Sequence, residues 1–144
     1  MKRISLRNPR SRERILVVED DQMSRETMTD VLSHAGYEVV AAADAYEALS
    51  IAAHGSPDLV LSDLQMPGMD GVELTKRLHA FAGGVPVVLT TGLTDTQDVV
   101  TAAQSYGAVA CLPKPMNVDD LLWTIDRALA ARPSAVARLS ASQR

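Results

Sequence analysis

Leu59-Val60-Leu61-Ser62-Asp63-Leu64-Gln65-Met66-Pro67-Gly68-Met69-Asp70-Gly71 is a short apolar run that ends in an aspartate and opens into a Pro- and Gly-rich loop. Breakers flank the run and it is too short for a helix, so it reads as a buried strand over Asp58–Ser62. In an open α/β sheet the carboxyl end of such a strand is where ligands and chemistry gather. Asp63 stands at that end and is a candidate nucleophile.

The flanking chain repeats the same grammar. Upstream, the β-branched run Arg14–Val18 ends in Glu19-Asp20-Asp21, and Met28, Val31, Leu32 and Ala35 then recur at helical spacing until Gly36. Tyr37–Ala42 reads as a strand and Ala45–His54 as a helix stopped by Gly55-Ser56-Pro57. Downstream, a helix is expected from Gly71 to Phe81, with Leu74, Leu78 and Phe81 on one side, and a strand over Val85–Thr90. Asp95 is expected to cap a helix ending near Tyr106, with Gly107 as its stop. Ala108–Leu112 is a fifth strand. Asn117 caps a last helix whose inward face is Val118, Leu121, Leu122, Ile125 and Leu129.

Five strand–helix alternations with short connections imply a parallel sheet covered on both faces. Right-handed crossovers reduce the topologies to a doubly wound, flavodoxin-like (βα)5 fold of strand order 2-1-3-4-5. The domain is expected over residues 14–131, with a basic flexible arm at 1–13 and a flexible tail at 132–144. No internal repeat is present.

Composition agrees with an aliphatic globular core: 47% hydrophobic, 22% charged and only 3% aromatic. A single cysteine, Cys111, excludes an internal disulfide, and no Cys/His cluster suggests zinc. No apolar run approaches the roughly 18 residues of a membrane span, and the basic N-terminus is not followed by the apolar stretch of a secretory signal. A cytoplasmic protein without a membrane partner is expected. Within residues 1–14, Lys2, Arg3, Arg7, Arg10, Arg12 and Arg14 stand against Glu13 alone, although the net charge is −4. Such an arm suits nucleic acid or anionic lipid; a solvated tail is the plainer reading, and a nucleic-acid partner is not expected.

In a parallel sheet all strand carboxyl ends lie on one edge. That rule gathers Glu19, Asp20 and Asp21, then Asp63, then Thr90 and Thr91, then Lys114. Carboxylates so crowded repel one another unless a cation sits among them. Oxygen-only donors suit Mg²⁺, which favours one or two carboxylates plus a phosphate. A lysine and a hydroxyl complete a set for stabilising a transferring phosphoryl group. Asp21 and Asp70 are read as helix caps, and Thr90 as a packing residue of the sheet. His34, His54 and His79 fall in helix bodies away from this edge and are read as surface or structural. Trp123 lies off the inward stripe of the last helix, suiting either a partner anchor or a helix-edge contact. No His/Ser/Asp catalytic arrangement, no Asp-x-Asp phosphatase signature on the first strand and no Gly-rich dinucleotide turn is found.

From about Arg14 to Ala130 the sequence resembles the receiver domain of two-component response regulators. Four pieces carry the resemblance, in family order and spacing: Ile15-Leu16-Val17-Val18-Glu19-Asp20-Asp21; Asp58–Asp63 with Met66-Pro67-Gly68-Met69-Asp70-Gly71; Pro86-Val87-Val88-Leu89-Thr90-Thr91-Gly92; and Lys114-Pro115. The resemblance implies that Asp63 takes a phosphoryl group from the phosphohistidine of a sensor histidine kinase or phosphotransfer protein. It implies Mg²⁺ held by Glu19, Asp20, Asp63 and the backbone carbonyl of Gln65, with Thr91 and Lys114 meeting the phosphoryl oxygens and a cis Lys114–Pro115 bond. A signalling receiver, not an enzyme beyond its own phosphorylation and dephosphorylation, would then pass its state to a protein target. That contact is expected to run through the fourth helix–fifth strand–fifth helix face, with a phosphorylation-dependent homodimer as one form of output. The alternative is a module cut from a larger hybrid kinase or DNA-binding regulator.

Five positions depart from the family pattern or bear on how long the phosphoryl group lasts. The fifth-strand position commonly held by Tyr or Phe is Cys111, which cannot sweep out the volume of a ring, so a muted or differently routed switch is expected. Met116 stands where Phe is common, and Glu19 where Asp is frequent. Gln65 and Leu93 occupy the positions flanking the path of hydrolytic water, and neither can act as a base. A phosphoryl lifetime of minutes or longer is expected.

Overall fold

The computed structural model describes residues 12–55, 57–82, 84–92 and 95–131. The expected arm, apart from Arg12 and Glu13, and the expected tail lie outside these residues, as do Leu93 and the side chain of Phe81.

Strand β1 (Arg14–Val18) leads into helix α1 (Gln22–His34), followed by β2 (Glu38–Ala42), α2 (Ala45–His54), β3 (Leu59–Asp63), α3 (Gly71–Ala82), β4 (Val87–Thr91), α4 (Gln97–Ser105), β5 (Ala108–Pro113) and α5 (Val118–Ala131). The five strands form one parallel sheet in the order β2-β1-β3-β4-β5, as the alternation predicted.

The strands alternate their side chains across two aliphatic layers. Leu16, Val18, Val60, Leu64, Val87 and Leu89 pack on one face with Ala48 and Ala52 of α2, Leu74 and Leu78 of α3, and Ala103 of α4. On the other face Ile15, Val17, Leu59, Leu61 and Val88 meet Met28 and Leu32 of α1 and Leu121, Leu122, Ile125 and Leu129 of α5. Every residue of β3 and of β4 is buried, so these two central strands form the rigid floor of whatever stands at their ends.

Both run one residue further than their apolar content suggests. Asp63 pairs with Thr90 and Thr91 with Pro113 in the sheet register. The polar residues at these ends are thus fixed by ladder hydrogen bonds, not carried on free loops.

Local chemistry sets the helix starts. Asp21, Asp44 and Asn117 accept from the backbone N–H three residues on, of Ser24, Glu47 and Asp120, at 2.8, 2.8 and 2.7 Å. Asp70 does the same for α3 through Glu73 at 2.9 Å, which bears out its reading as a cap. Two expectations fail. Thr96, not Asp95, caps α4, accepting from Val99 at 3.3 Å; Asp95 instead accepts from the Gly92 N–H at 2.7 Å, and a carboxylate bound backward into its own loop cannot cap forward. Val118 is 49% exposed: as the first residue of α5 it lines an open groove with Asp30, Val31 and His34 of α1 and is not covered by the core.

Candidate phosphoacceptor and metal site

The buried strand β3 delivers Asp63, whose residue exposure is 9%, to the carboxyl edge of the sheet. One carboxylate oxygen, Oδ1, accepts from the Gln65 N–H at 3.3 Å. The other, Oδ2, accepts from Lys114 Nζ at 2.9 Å. Lys114 arrives from the end of β5, where its backbone N–H donates to the Thr91 carbonyl at 2.7 Å and its peptide to Pro115 is cis, as expected. The same ammonium lies 3.6 Å from Glu19 Oε2.

Glu19 follows β1 and is 2% exposed, its chain continuing the sheet through a backbone hydrogen bond to Ala42 at 3.1 Å. Its Oε1 accepts from the Asp21 N–H at 3.2 Å, whereas Oε2 is buried without a hydrogen-bond partner. Asp20 is exposed. Glu19, Asp20 and Asp63 each present a carboxylate oxygen within 4.8 Å of the others.

The electrostatics follow from that crowding. Burial pushes the Glu19 carboxyl above its ordinary range, with Asp63 and Asp20 adding repulsion; the Lys114 charge and the Asp21 N–H offset only part of it. For Lys114 burial alone would favour the neutral amine, but the hydrogen bond to Asp63 and the charges of Glu19 and Asp63 outweigh it and raise its affinity for the proton. Asp21 is held below the ordinary carboxylate range by its bond to the Ser24 N–H, consistent with a cap.

A divalent cation fits this set. The donors are all oxygens, three carboxylates converge, and one buried oxygen on Glu19 has no hydrogen-bond donor to satisfy it. Hard oxygen donors of this kind match Mg²⁺.

Thr91 closes β4 on the neighbouring strand, and its hydroxyl donates to the Leu112 carbonyl at 3.5 Å, long enough to leave it weakly held. Thr90 is fully buried in the sheet, as expected of a packing residue. Cys111 packs half-buried against the α2–α3–α4 core layer and does not join the acid cluster; burial, aided by Asp95, pushes its thiol up. Gln65 begins the β3–α3 loop, which lines an open hollow of about 490 Å³ with Met66, Pro67, Gly68 and Asp70. His34, His54 and His79 are all exposed and none joins the site. Trp123 is half exposed, with the Arg127 guanidinium 4.8 Å from its ring centroid.

One side chain at this edge escapes sequence reading. Arg25, on α1, donates from its guanidinium to the carbonyl of Glu19 at 2.8 Å and, at 3.5 Å, toward that of Asp20. The available signal is a cation close to a helix N-terminus, where the helix dipole disfavours positive charge.

Acids and a lysine converging at the strand ends of a five-stranded, doubly wound domain define the receiver class of signalling modules. Residues 15–126 match the response regulator receiver domain family, and the chain belongs to that family. It is 41% identical over 111 residues to the DNA-binding response regulator MtrA of Mycobacterium tuberculosis (strain ATCC 25618 / H37Rv), covering 77% of this chain and 48% of that one. It is 39% identical over 121 residues to the response regulator MprA of Mycobacterium sp. (strain KMS), covering 84% and 52%. The chain thus spans about half the length of these curated relatives. Among solved structures, a CheY-like receiver domain protein from Methanospirillum hungatei JF-1 superposes with a TM-score of 0.80 at 33% identity, covering 83% of this chain and 95% of that one. Among the described residues no helix is long and apolar enough to cross a membrane.

Proposed function

We propose that Asp63 is the phosphoacceptor of this receiver domain. An Asp63 carboxylate oxygen attacks the phosphorus of a phosphohistidine on a sensor kinase or phosphotransfer protein. The P–N bond breaks, its electron pair passes to the imidazole nitrogen, and that ring takes up a proton. The observation that carries this reading is the Lys114–Asp63 contact of 2.9 Å within three carboxylates converging to 4.8 Å. Mg²⁺ would be held by Glu19, Asp20, Asp63 and the Gln65 backbone carbonyl, and would supply charge neutralisation for the transferring group. Lys114 binds a phosphoryl oxygen by a charge-assisted hydrogen bond. Thr91, whose hydroxyl is weakly held, turns toward the phosphoryl group, and the balance between two surface states shifts with it.

Residues 14–131 act as the signalling module, in the cytoplasm, and transmit state by protein contact through α4, β5 and α5 without catalysing chemistry on a separate substrate. A phosphorylation-dependent homodimer through the same face is one form that output takes. Exposed Trp123 on α5 supports that face as a contact surface. A second reading rests on the coverage of relatives: the module works inside a longer regulator, and nucleic-acid contact then belongs to the remainder of that protein.

Incubation with Mg²⁺ and acetyl phosphate tests the central assignment by mass. The wild type gains one phosphoryl mass and Asp63→Asn gains none; gain by both, or by neither, overturns it.

A further inference from the structure

Arg25 contributes no ligand atom to the acid cluster, yet it reaches the main chain of Glu19 and Asp20, two of the three residues that lead β1 into α1. Its guanidinium is the donor to the Glu19 carbonyl at 2.8 Å and lies 3.5 Å from that of Asp20. Its position is fixed from below, because the Arg25 N–H donates to the Asp21 carbonyl at 2.9 Å and its own carbonyl accepts from Thr29 Oγ1 at 2.8 Å. From the other side the Glu19 N–H is bound to Ala42 in β2. The turn carrying both acids is thus clamped between a neighbouring strand and the first turns of α1.

We propose that Arg25 is a positioning residue for the metal site, holding the β1–α1 turn so that the Glu19 and Asp20 carboxylates converge with that of Asp63. The inference rests on the reading of these acids as Mg²⁺ ligands. Both contacts leave one guanidinium nitrogen, Nη1, at the end of the longer side chain; a lysine ammonium sits one bond nearer its Cα and reaches the same carbonyls less closely.

The proposal carries a sign that electrostatics alone would reverse. A cation beside the cluster repels a second cation, so loss of the Arg25 charge by itself would tighten Mg²⁺ binding. Loss of positioning weakens it, as outer-shell partners of metal ligands do by about tenfold or more. Met and Lys have helix propensities close to that of Arg, so neither replacement disturbs α1 on its own account.

Isothermal titration of the unphosphorylated full chain with MgCl2 separates these cases, with Asp20→Asn as control. The expected result is clear binding by wild type, strong loss in Asp20→Asn, affinity about tenfold lower in Arg25→Met, and an intermediate loss in Arg25→Lys. Arg25→Met binding within about twofold of wild type, or more tightly, overturns the positioning role while leaving the site reading intact. Equal binding by wild type and Asp20→Asn overturns the site reading and the proposal with it. Circular dichroism checks folding; should Arg25→Met not fold, Arg25→Lys alone decides, weaker binding supporting the proposal and wild-type binding overturning it.

Discussion

Gln65 and Cys111 are the residues at which this chain departs most from the pattern its site otherwise follows. Gln65 is exposed and begins the loop after Asp63, and an amide there cannot take a proton from an attacking water. The phosphorylated chain is therefore expected to lose its phosphoryl group over minutes or longer; decay followed by mass after removal of donor checks this, and loss within seconds contradicts it. Leu93, the other residue expected to flank that path, lies outside the described residues. Cys111 holds less volume than a ring and is already packed against the core, which fits a muted movement on the outer face. Both residues were legible as departures because the motifs around them fix the register of comparison. Arg25 was not legible in that way: its role depends on a guanidinium reaching back to carbonyls of the preceding turn, a tertiary contact with no periodic signature.

At the scale of elements, the sequence was most informative where one physical requirement dominates. The central strands were readable from unbroken apolar runs, and α1, α3 and α5 from a capping residue followed by apolar spacing. Boundaries slipped where two residues competed for one role. Asp95 and Thr96 both suit a cap, and only the bond from the Gly92 N–H to Asp95 decides between them. Gly71 illustrates a requirement that propensity would misjudge. A Cβ there would stand 2.7 Å from the Asp63 carbonyl and 2.8 Å from Leu64 Cα, both backbone atoms, and the Gly71 N–H donates to the Leu64 carbonyl at 2.7 Å. Helix propensity favours Ala over Gly by about 0.5–1 kcal/mol, whereas forcing a methyl into packed backbone costs about 1–3 kcal/mol. The clash wins, since backbone cannot swing aside. Gly71→Ala is expected to destabilise by about 2 kcal/mol in urea unfolding and to lower phosphorylation, because the atoms displaced belong to Asp63 itself; a neutral or stabilising result contradicts this.

For the whole molecule, strand order and the two-layer core followed from alternation and handedness, while the placement of charge at the sheet edge followed only from topology. That edge links the site to global stability. Lys114 offsets repulsion between Glu19 and Asp63, at 3.6 and 2.9 Å. Its side chain is 34% exposed, so solvent screens part of the effect, and Lys114→Met is expected to cost about 1–2 kcal/mol without metal. A divalent cation can take over the same offset, so Mg²⁺ is expected to restore more stability to Lys114→Met than it adds to wild type. Urea unfolding in EDTA and in MgCl2 measures both, and an equal Mg²⁺ increment in the two proteins contradicts the account. The cluster also has a consequence for how its state is read. With all groups ionised, three carboxylates and one ammonium leave two negative charges, the amount a divalent cation cancels. An acyl phosphate on Asp63 replaces one negative charge by up to about two, so roughly one unit is then left unbalanced at the mouth of the site. A partner presenting an arginine to that edge distinguishes the two states by potential alone, and a receiver with a cysteine in place of a swinging ring has that route open to it.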